Sequence, residues 1–150
     1  HNRAPFLADC NERTRKEIMT EQTTARMHVI RLELARSKEH PQGSAGEGYE
    51  FHAPLDETLH IDAESWKKER ARCFVHKIEG GRTVERGLLV HKPGGAGGAT
   101  WSFDYDYQDE GDEEAGYRFG AHAFTVGEYV SVRDEDGEMH TYRVAGVRPE

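Results

Sequence analysis

Apolar and polar residues alternate along several short stretches of this chain, as they do in half-buried β-strands. Residues 28–36 show this pattern, with Ile30, Leu32 and Leu34 on one face, and they predict a first strand. Residues 100–107 show it most clearly, because Trp101, Phe103, Tyr105 and Tyr107 share one face. Further short apolar runs lie at residues 49–51, 73–78, 87–91, 117–119 and 123–126, and a closing hairpin is predicted from residues 129–133 and 139–147.

Glycine and proline divide these stretches into short segments. Gly80 and Gly81 mark a turn, and Pro54 is expected to end the short second strand. The last turn covers residues 134–137, where Gly137 can take the positive φ that a tight hairpin turn requires. Turn signals at such close intervals are typical of all-β barrels and sandwiches.

One helix is predicted over residues 63–71, which contain good helix formers and neither glycine nor proline. Asp62 is the expected N-cap, because its carboxylate can accept hydrogen bonds from the open amides of the first turn. Ile61 before the cap and Trp66 inside the helix are spaced to form a hydrophobic staple.

These elements predict a mainly β fold, a small antiparallel barrel or sandwich-like sheet with one short helix. An α+β arrangement, with the helix packed on one face of the sheet, is the alternative. Residues 27–150 are predicted to form a single β-rich domain. Residues 1–26 contain few large apolar side chains, so they are expected to form a mobile N-terminal extension. The start of the protein is left open between His1, Met19 and Met27.

The composition excludes several classes of protein. The 150 residues include 28 acidic and 20 basic side chains, for a net charge of -8. No apolar run approaches the ~18–20 residues of a membrane-spanning helix. Two cysteines, Cys10 and Cys73, exclude a disulfide scaffold and favour a cytoplasmic location, with Cys73 as a small core residue.

The C-terminal third carries a resemblance to known proteins. Residues 116–147 contain GYRFGAHAF, GEYVSVRDEDGEMHTYRV and a following valine. Together with RLELAR at residues 31–36 and the segment 62–66, they resemble a family of small bacterial proteins to which no activity is assigned. The hairpin of GEYVSV and YRVAGV is similar to hairpins of SH3-like small barrels. This resemblance implies a small β fold and no particular catalytic residue.

The preferred hypothesis is a non-catalytic binding or interaction module. Residues 104–116 contain seven acidic side chains and no basic one, so they supply most of the net charge. Such a segment is expected to attract a basic protein partner. The glycine-rich residues 93–99 are the second loop assigned to binding. The acidic residues predicted to bind the partner are Asp109, Glu110, Asp112, Glu113 and Glu114.

The alternative is a metal-dependent protein or enzyme. Histidines on neighbouring strands can converge on a divalent metal, with carboxylates completing the ligand set. No cofactor is predicted otherwise, and no spacing of Ser, Cys or His matches a catalytic motif. The aromatic face of residues 100–107 could stack bases, but the alternating acidic residues would repel phosphates, so nucleic acid is not favoured. The predicted ligands are His76, His91, His122, Asp104 and Asp106.

Overall fold

The computed structural model describes residues 25–91, 101–105, 114–117, 119, 122–134 and 136–150, with backbone alone for 114–117. Strands form most of the described chain, and one short helix follows the second strand. The strands are β1 (Arg26–Leu34), β2 (Ser44–Leu55), β3 (Phe74–Glu79), β4 (Arg82–His91), β5 (Trp101–Tyr105), β6 (Glu114–Tyr117), β7 (Tyr129–Arg133) and β8 (Met139–Pro149).

The eight strands form a closed barrel in which each strand pairs with the next one along the chain. Every pairing is antiparallel, and β8 returns to pair with β1, for example Ile30 with Val147. Closure matters because it leaves the strands of a sheet without a free edge. The prediction of a mainly β fold with an antiparallel barrel and one short helix is confirmed.

The order of the strands also decides which connections meet. Because neighbours in sequence are neighbours in the barrel, successive connections alternate between its two ends. The β1–β2, β3–β4 and β7–β8 connections therefore share one end, which we call the turn end. The helix and the start of β5 lie toward the opposite end, which we call the helix end.

An aromatic core fills the barrel. Phe51, Phe103, Phe119 and Phe124 are fully buried or nearly so, and their ring centroids lie 5.3–6.0 Å apart in the contacts they make. Alternation along β5 buries Trp101, Phe103 and Tyr105 on the inner face, as the sequence pattern indicates. These three rings are consequently occupied by core packing, and Tyr107 lies outside the described residues.

The helix α1 (Ala63–Glu69) begins where it was predicted. The Asp62 carboxylate accepts a hydrogen bond from the Ser65 backbone N–H at 3.0 Å, which confirms the N-cap. Ile61 and Trp66 are both buried in the core cluster. The α-helix is shorter than predicted, because the chain tightens into a 3₁₀ turn at Arg70–Arg72 before entering β3.

The second strand is longer than predicted, and the expectation that Pro54 ends it is wrong. Pro54 lies inside β2 and pairs with Met27 of β1. The ladder to β3 covers only Gly48–Phe51, so a residue without an N–H is tolerated beyond it.

Among the residues that the structure describes, no helix has the length and apolar character needed to cross a membrane.

Candidate functional site

An open groove of about 890 Å³ lies at the turn end of the barrel. Its walls come from the β1–β2 and β7–β8 connections and from the adjoining ends of β1, β2, β3 and β8, which the strand order brings together. Its lining includes two basic side chains, Arg36 and Lys77. Five carboxylates line it, from Glu39, Glu47, Glu79, Asp134 and Glu138.

The groove combines a buried apolar base with a charged rim. Tyr49, Ile78 and Tyr142 are at most 8% exposed, and the rings of Tyr49 and Tyr142 meet edge to face at 5.2 Å. Glu79 and Glu138, by contrast, are exposed. Apolar surface with carboxylates above it suits a side chain that has an aliphatic stem and a cationic end.

Asp134 organises the β7–β8 turn at one wall of the groove. Its Oδ1 accepts hydrogen bonds from the backbone N–H groups of Asp136 and Glu138, at 3.0 and 2.8 Å. Gly137 supplies the positive φ of +85° that the turn requires. Burial alone would raise the pKa of Asp134, but the Glu138 amide and His140 outweigh that effect and hold the pKa below its usual range.

His140 joins this turn to the second strand of the hairpin. Its Nε2 lies 2.9 Å from Asp134 Oδ2 and 3.8 Å from Glu138 Oε2. Within the described part of the chain, this is the one group of three His, Cys, Asp or Glu residues whose ligand atoms all lie within 4.8 Å of one another. Imidazole and carboxylate are ligands that first-row divalent metals accept.

The described residues of the predicted metal site, His76, His91, His122 and Asp104, are not brought together. His91 lies two residues after the inward-facing Leu89 on β4, and its ring is tilted by 31° against that of Trp101, with centroids 4.2 Å apart. His76 and Asp104 alternate with buried neighbours along their strands, so their side chains point outward. They therefore lie on the opposite face of the barrel wall from His91. His122 lies half-buried in the β6–β7 connection, and Asp106 is outside the described residues.

The surroundings of His91 lower its pKa. Burial lowers the pKa of His91, and the nearby positive charge of Lys67 lowers it further. The ring also meets Trp66 edge to face at 5.8 Å. His91 is therefore a packing residue at the helix end of the barrel, remote in the fold from the acidic groove.

The residues predicted to bind a partner are only partly described. Asp109, Glu110, Asp112 and Glu113 lie outside the described residues, as do residues 93–99 of the glycine-rich loop. Glu114 begins β6, and its backbone is opposite Phe103 of β5. The partner-binding role of these acidic residues therefore stays a prediction.

Comparison with protein-family models, with curated proteins and with solved structures finds no match to this chain. The resemblance to a family of small bacterial proteins and to SH3-like hairpins thus stays a prediction.

The sequence pattern located the β7–β8 turn but missed the contact between Asp134 and His140. The sequence did contain a signal for this contact: Asp134 stands at the start of a tight turn, and His140 comes early in the strand that follows. The remaining groove residues had no such signal, because Glu39 lies in the β1–β2 connection, Glu47 in β2 and Glu79 at the end of β3. Only the order of the strands places them together.

Proposed function

We propose that this protein is a non-catalytic binding module that holds a basic segment of a partner protein in the acidic groove. The observation that supports the proposal is the excess of five carboxylates over two basic side chains around one open groove. Complementary charge of this kind selects a partner and speeds its association. The proposal keeps the class of partner expected from the sequence and moves the contact to the groove.

The shape of the groove favours lysine or arginine side chains as the inserted groups. Their aliphatic stems can pack on Ile78 and Tyr142, while the cationic ends meet the exposed carboxylates. Exposed charge pairs contribute only ~0.2–1 kcal/mol each, so affinity would depend on several pairs formed together. Such binding weakens as salt is added.

The test uses a fluorescein-labelled lysine-rich peptide and fluorescence anisotropy, at about 50 mM and about 300 mM salt. The double variant Glu39→Gln with Glu79→Gln removes two rim charges without touching Asp134 or the buried base of the groove. The matched control, Glu57→Gln with Glu64→Gln, removes the same net charge near the helix end. Thermal melts of both variants check that the barrel remains folded.

We expect the groove variant to bind the peptide about fivefold more weakly and the control to bind within about twofold of the wild type. Binding of the wild type should also weaken at the higher salt concentration. Equal losses in the two double variants would mean that net charge alone attracts the peptide. That outcome, or a wild type that does not bind, would overturn the proposal.

A second candidate function is binding of a divalent metal by Asp134, Glu138 and His140. The supporting observation is the convergence of their ligand atoms within 4.8 Å. Their two carboxylates and one imidazole are ligands that a divalent metal such as Zn²⁺ accepts. Asp134 Oδ1 accepts two backbone amides, so an ion would be held by Oδ2 and by His140 Nε2 in exchange for the hydrogen bond that now joins these two atoms.

Calorimetric titration of untagged protein with Zn²⁺ tests this second function. Saturable binding of one ion that is lost in His140→Gln and kept in His76→Gln would support it. Wild-type protein that takes up no Zn²⁺, or equal loss in both variants, would remove it. We further propose a cytoplasmic location for the binding module, since a buried free thiol such as Cys73 stays reduced there.

A further inference from the structure

A second cavity of about 510 Å³ lies beside the acidic groove and has the opposite charge. Its described lining contains two guanidinium groups, from Arg36 and Arg143, and no carboxylate. The phenol of Tyr129 and the amide of Gln42 also line it. Paired arginines without an acid in the lining are unexpected in a chain whose net charge is -8.

Arg143 is only loosely neutralised. On the outer face of the barrel it pairs in register with Tyr129 of β7 on one side and with Glu33 of β1 on the other. Its Nη2 is 3.8 Å from Glu33 Oε1, whereas Arg31 Nε is 3.3 Å from Glu33 Oε2. Glu33 is thus shared between two arginines, although Arg31 also pairs with Glu50 at 3.6 Å. Among the described residues, the long contact to Glu33 is the one ion pair that Arg143 makes.

Arg36 adds a second positive charge. Its side chain is exposed, and it makes no ion pair with any residue in the described part of the chain. It lies two residues after the end of β1, and the intervening Ala35 donates a backbone hydrogen bond to the Thr141 carbonyl at 3.0 Å. The Arg36 backbone is therefore fixed beside β8, which carries Arg143.

The far wall of the cavity is also fixed. Gly43 has φ of +73°, and its N–H donates to the His40 carbonyl at 2.9 Å. A Cβ at this position would lie 2.7 Å from the Leu34 carbonyl oxygen. The β1–β2 connection therefore folds back closely on the end of β1, which places Gln42 at the cavity.

We propose that this cavity binds an oxyanion, a phosphate or carboxylate group of a small molecule, between Arg36 and Arg143. Guanidinium groups hold such anions through pairs of parallel N–H donors, which gives both strength and orientation. The Gln42 amide and the Tyr129 hydroxyl offer further donors. Tyr129 is 56% exposed, so its ring can also cover the part of the ligand that carries the anion.

The test measures binding of inorganic phosphate and of succinate by calorimetry, each against chloride at matched ionic strength. Shifts of the arginine Nε–H signals in NMR spectra identify the side chains that respond. Arg36→Gln and Arg143→Gln remove one cation each. Arg148→Gln is the matched control, because Arg148 is also an exposed arginine of β8 but pairs with Glu50 at 3.3 Å.

We expect saturable binding of at least one anion with a dissociation constant of about 1 mM or tighter. The anion that binds more tightly identifies the ligand group as phosphate or carboxylate. Each of Arg36→Gln and Arg143→Gln should weaken binding about tenfold, while Arg148→Gln should stay within about twofold of the wild type.

Three results would overturn the proposal. One is a wild type whose response to both anions is no greater than its response to chloride. Another is unchanged affinity in both Arg36→Gln and Arg143→Gln. The last is an equal loss in Arg148→Gln, which would assign the effect to general surface charge.

Discussion

The indole Nε1 of Trp66 donates a hydrogen bond to the backbone carbonyl of Leu89 at 2.9 Å, inside the barrel wall. The bond joins α1 to the backbone of β4, and Trp66 also meets Trp101 edge to face at 5.6 Å. Trp66 is 6% exposed, so the bond is shielded from water. One side chain of a seven-residue helix thereby holds that helix against the barrel.

We predict that Trp66→Phe lowers the free energy of unfolding by about 1–3 kcal/mol, because it leaves a buried carbonyl without this donor. Urea denaturation followed by far-UV circular dichroism measures the change. Lys67→Ala is the matched control, since Lys67 is exposed on the same helix and should change stability by less than about 0.5 kcal/mol. A Trp66→Phe protein as stable as the control would contradict the assigned role of the bond.

Gly87 is predicted to tolerate no side chain. A Cβ built there would lie 2.1 Å from the Asp104 carbonyl oxygen of β5 and 2.6 Å from the Tyr105 Cα. Both obstacles are backbone atoms, so β4 and β5 would have to separate. We expect Gly87→Ala to lose at least about 3 kcal/mol of stability or to fail to fold.

A matched glycine substitution tests whether this steric effect is local. At Gly146 of β8 the nearest heavy atom to an added Cβ is the Arg31 Cβ, 3.9 Å away. Gly146→Ala should therefore change stability by no more than about 1 kcal/mol. Melting temperatures of the two variants give the comparison, and similar values for both would refute the prediction.

The elements of the barrel were predictable because their signals are local. Alternation of buried and exposed positions located β1, β5 and the β7–β8 hairpin, and the Asp62 cap located the start of α1. The ends of β2 were not predictable, since Pro54 is accepted only where the ladder to β3 has stopped. The point at which that ladder stops depends on β3, which begins about 20 residues after Pro54, and not on the local sequence pattern.

The candidate sites were predictable only where one hairpin contains them. Asp134 and His140 lie six residues apart, so their contact leaves a trace in the sequence. Arg36 and Arg143, by contrast, meet at one cavity only because β8 closes the barrel onto β1. Periodicity assigns a residue to the inner or the outer face of a strand, but it does not determine which strands become neighbours.

Cys73 is predicted to be unreactive in the native protein. It is fully buried, and burial raises the pKa of its thiol to about 12, with the negative charge of Glu69 adding to the effect. The thiolate fraction near pH 8 is then lower than that of a free cysteine by a factor on the order of 1000. In a Cys10→Ser background, a thiol reagent should react at this slow rate in buffer and rapidly in concentrated urea. Rapid reaction without denaturant would contradict the burial of Cys73.

Glu150 links three parts of the chain at the helix end of the barrel. Its carboxylate lies 2.6 Å from His52 Nδ1 of β2 and also pairs with Arg72 of the 3₁₀ turn. The hydrogen bond with His52 lowers the pKa of Glu150, burial raises it in part, and the contact with Arg72 lowers it again, so that the pKa is held below its usual range. A carboxyl group with a lowered pKa stabilises the folded state above the pKa it has in the unfolded chain.

We therefore predict that Glu150→Gln lowers the melting temperature by about 2–4 °C at pH 7. The difference between wild type and variant should shrink as the pH falls from about 5 toward 3, because the wild-type carboxylate is protonated there. Melting curves at pH 7, 5 and 3 measure it, with Glu57→Gln as a control at an exposed acidic residue. A difference that stays constant across this range would show that the ionised carboxylate of Glu150 contributes nothing to stability.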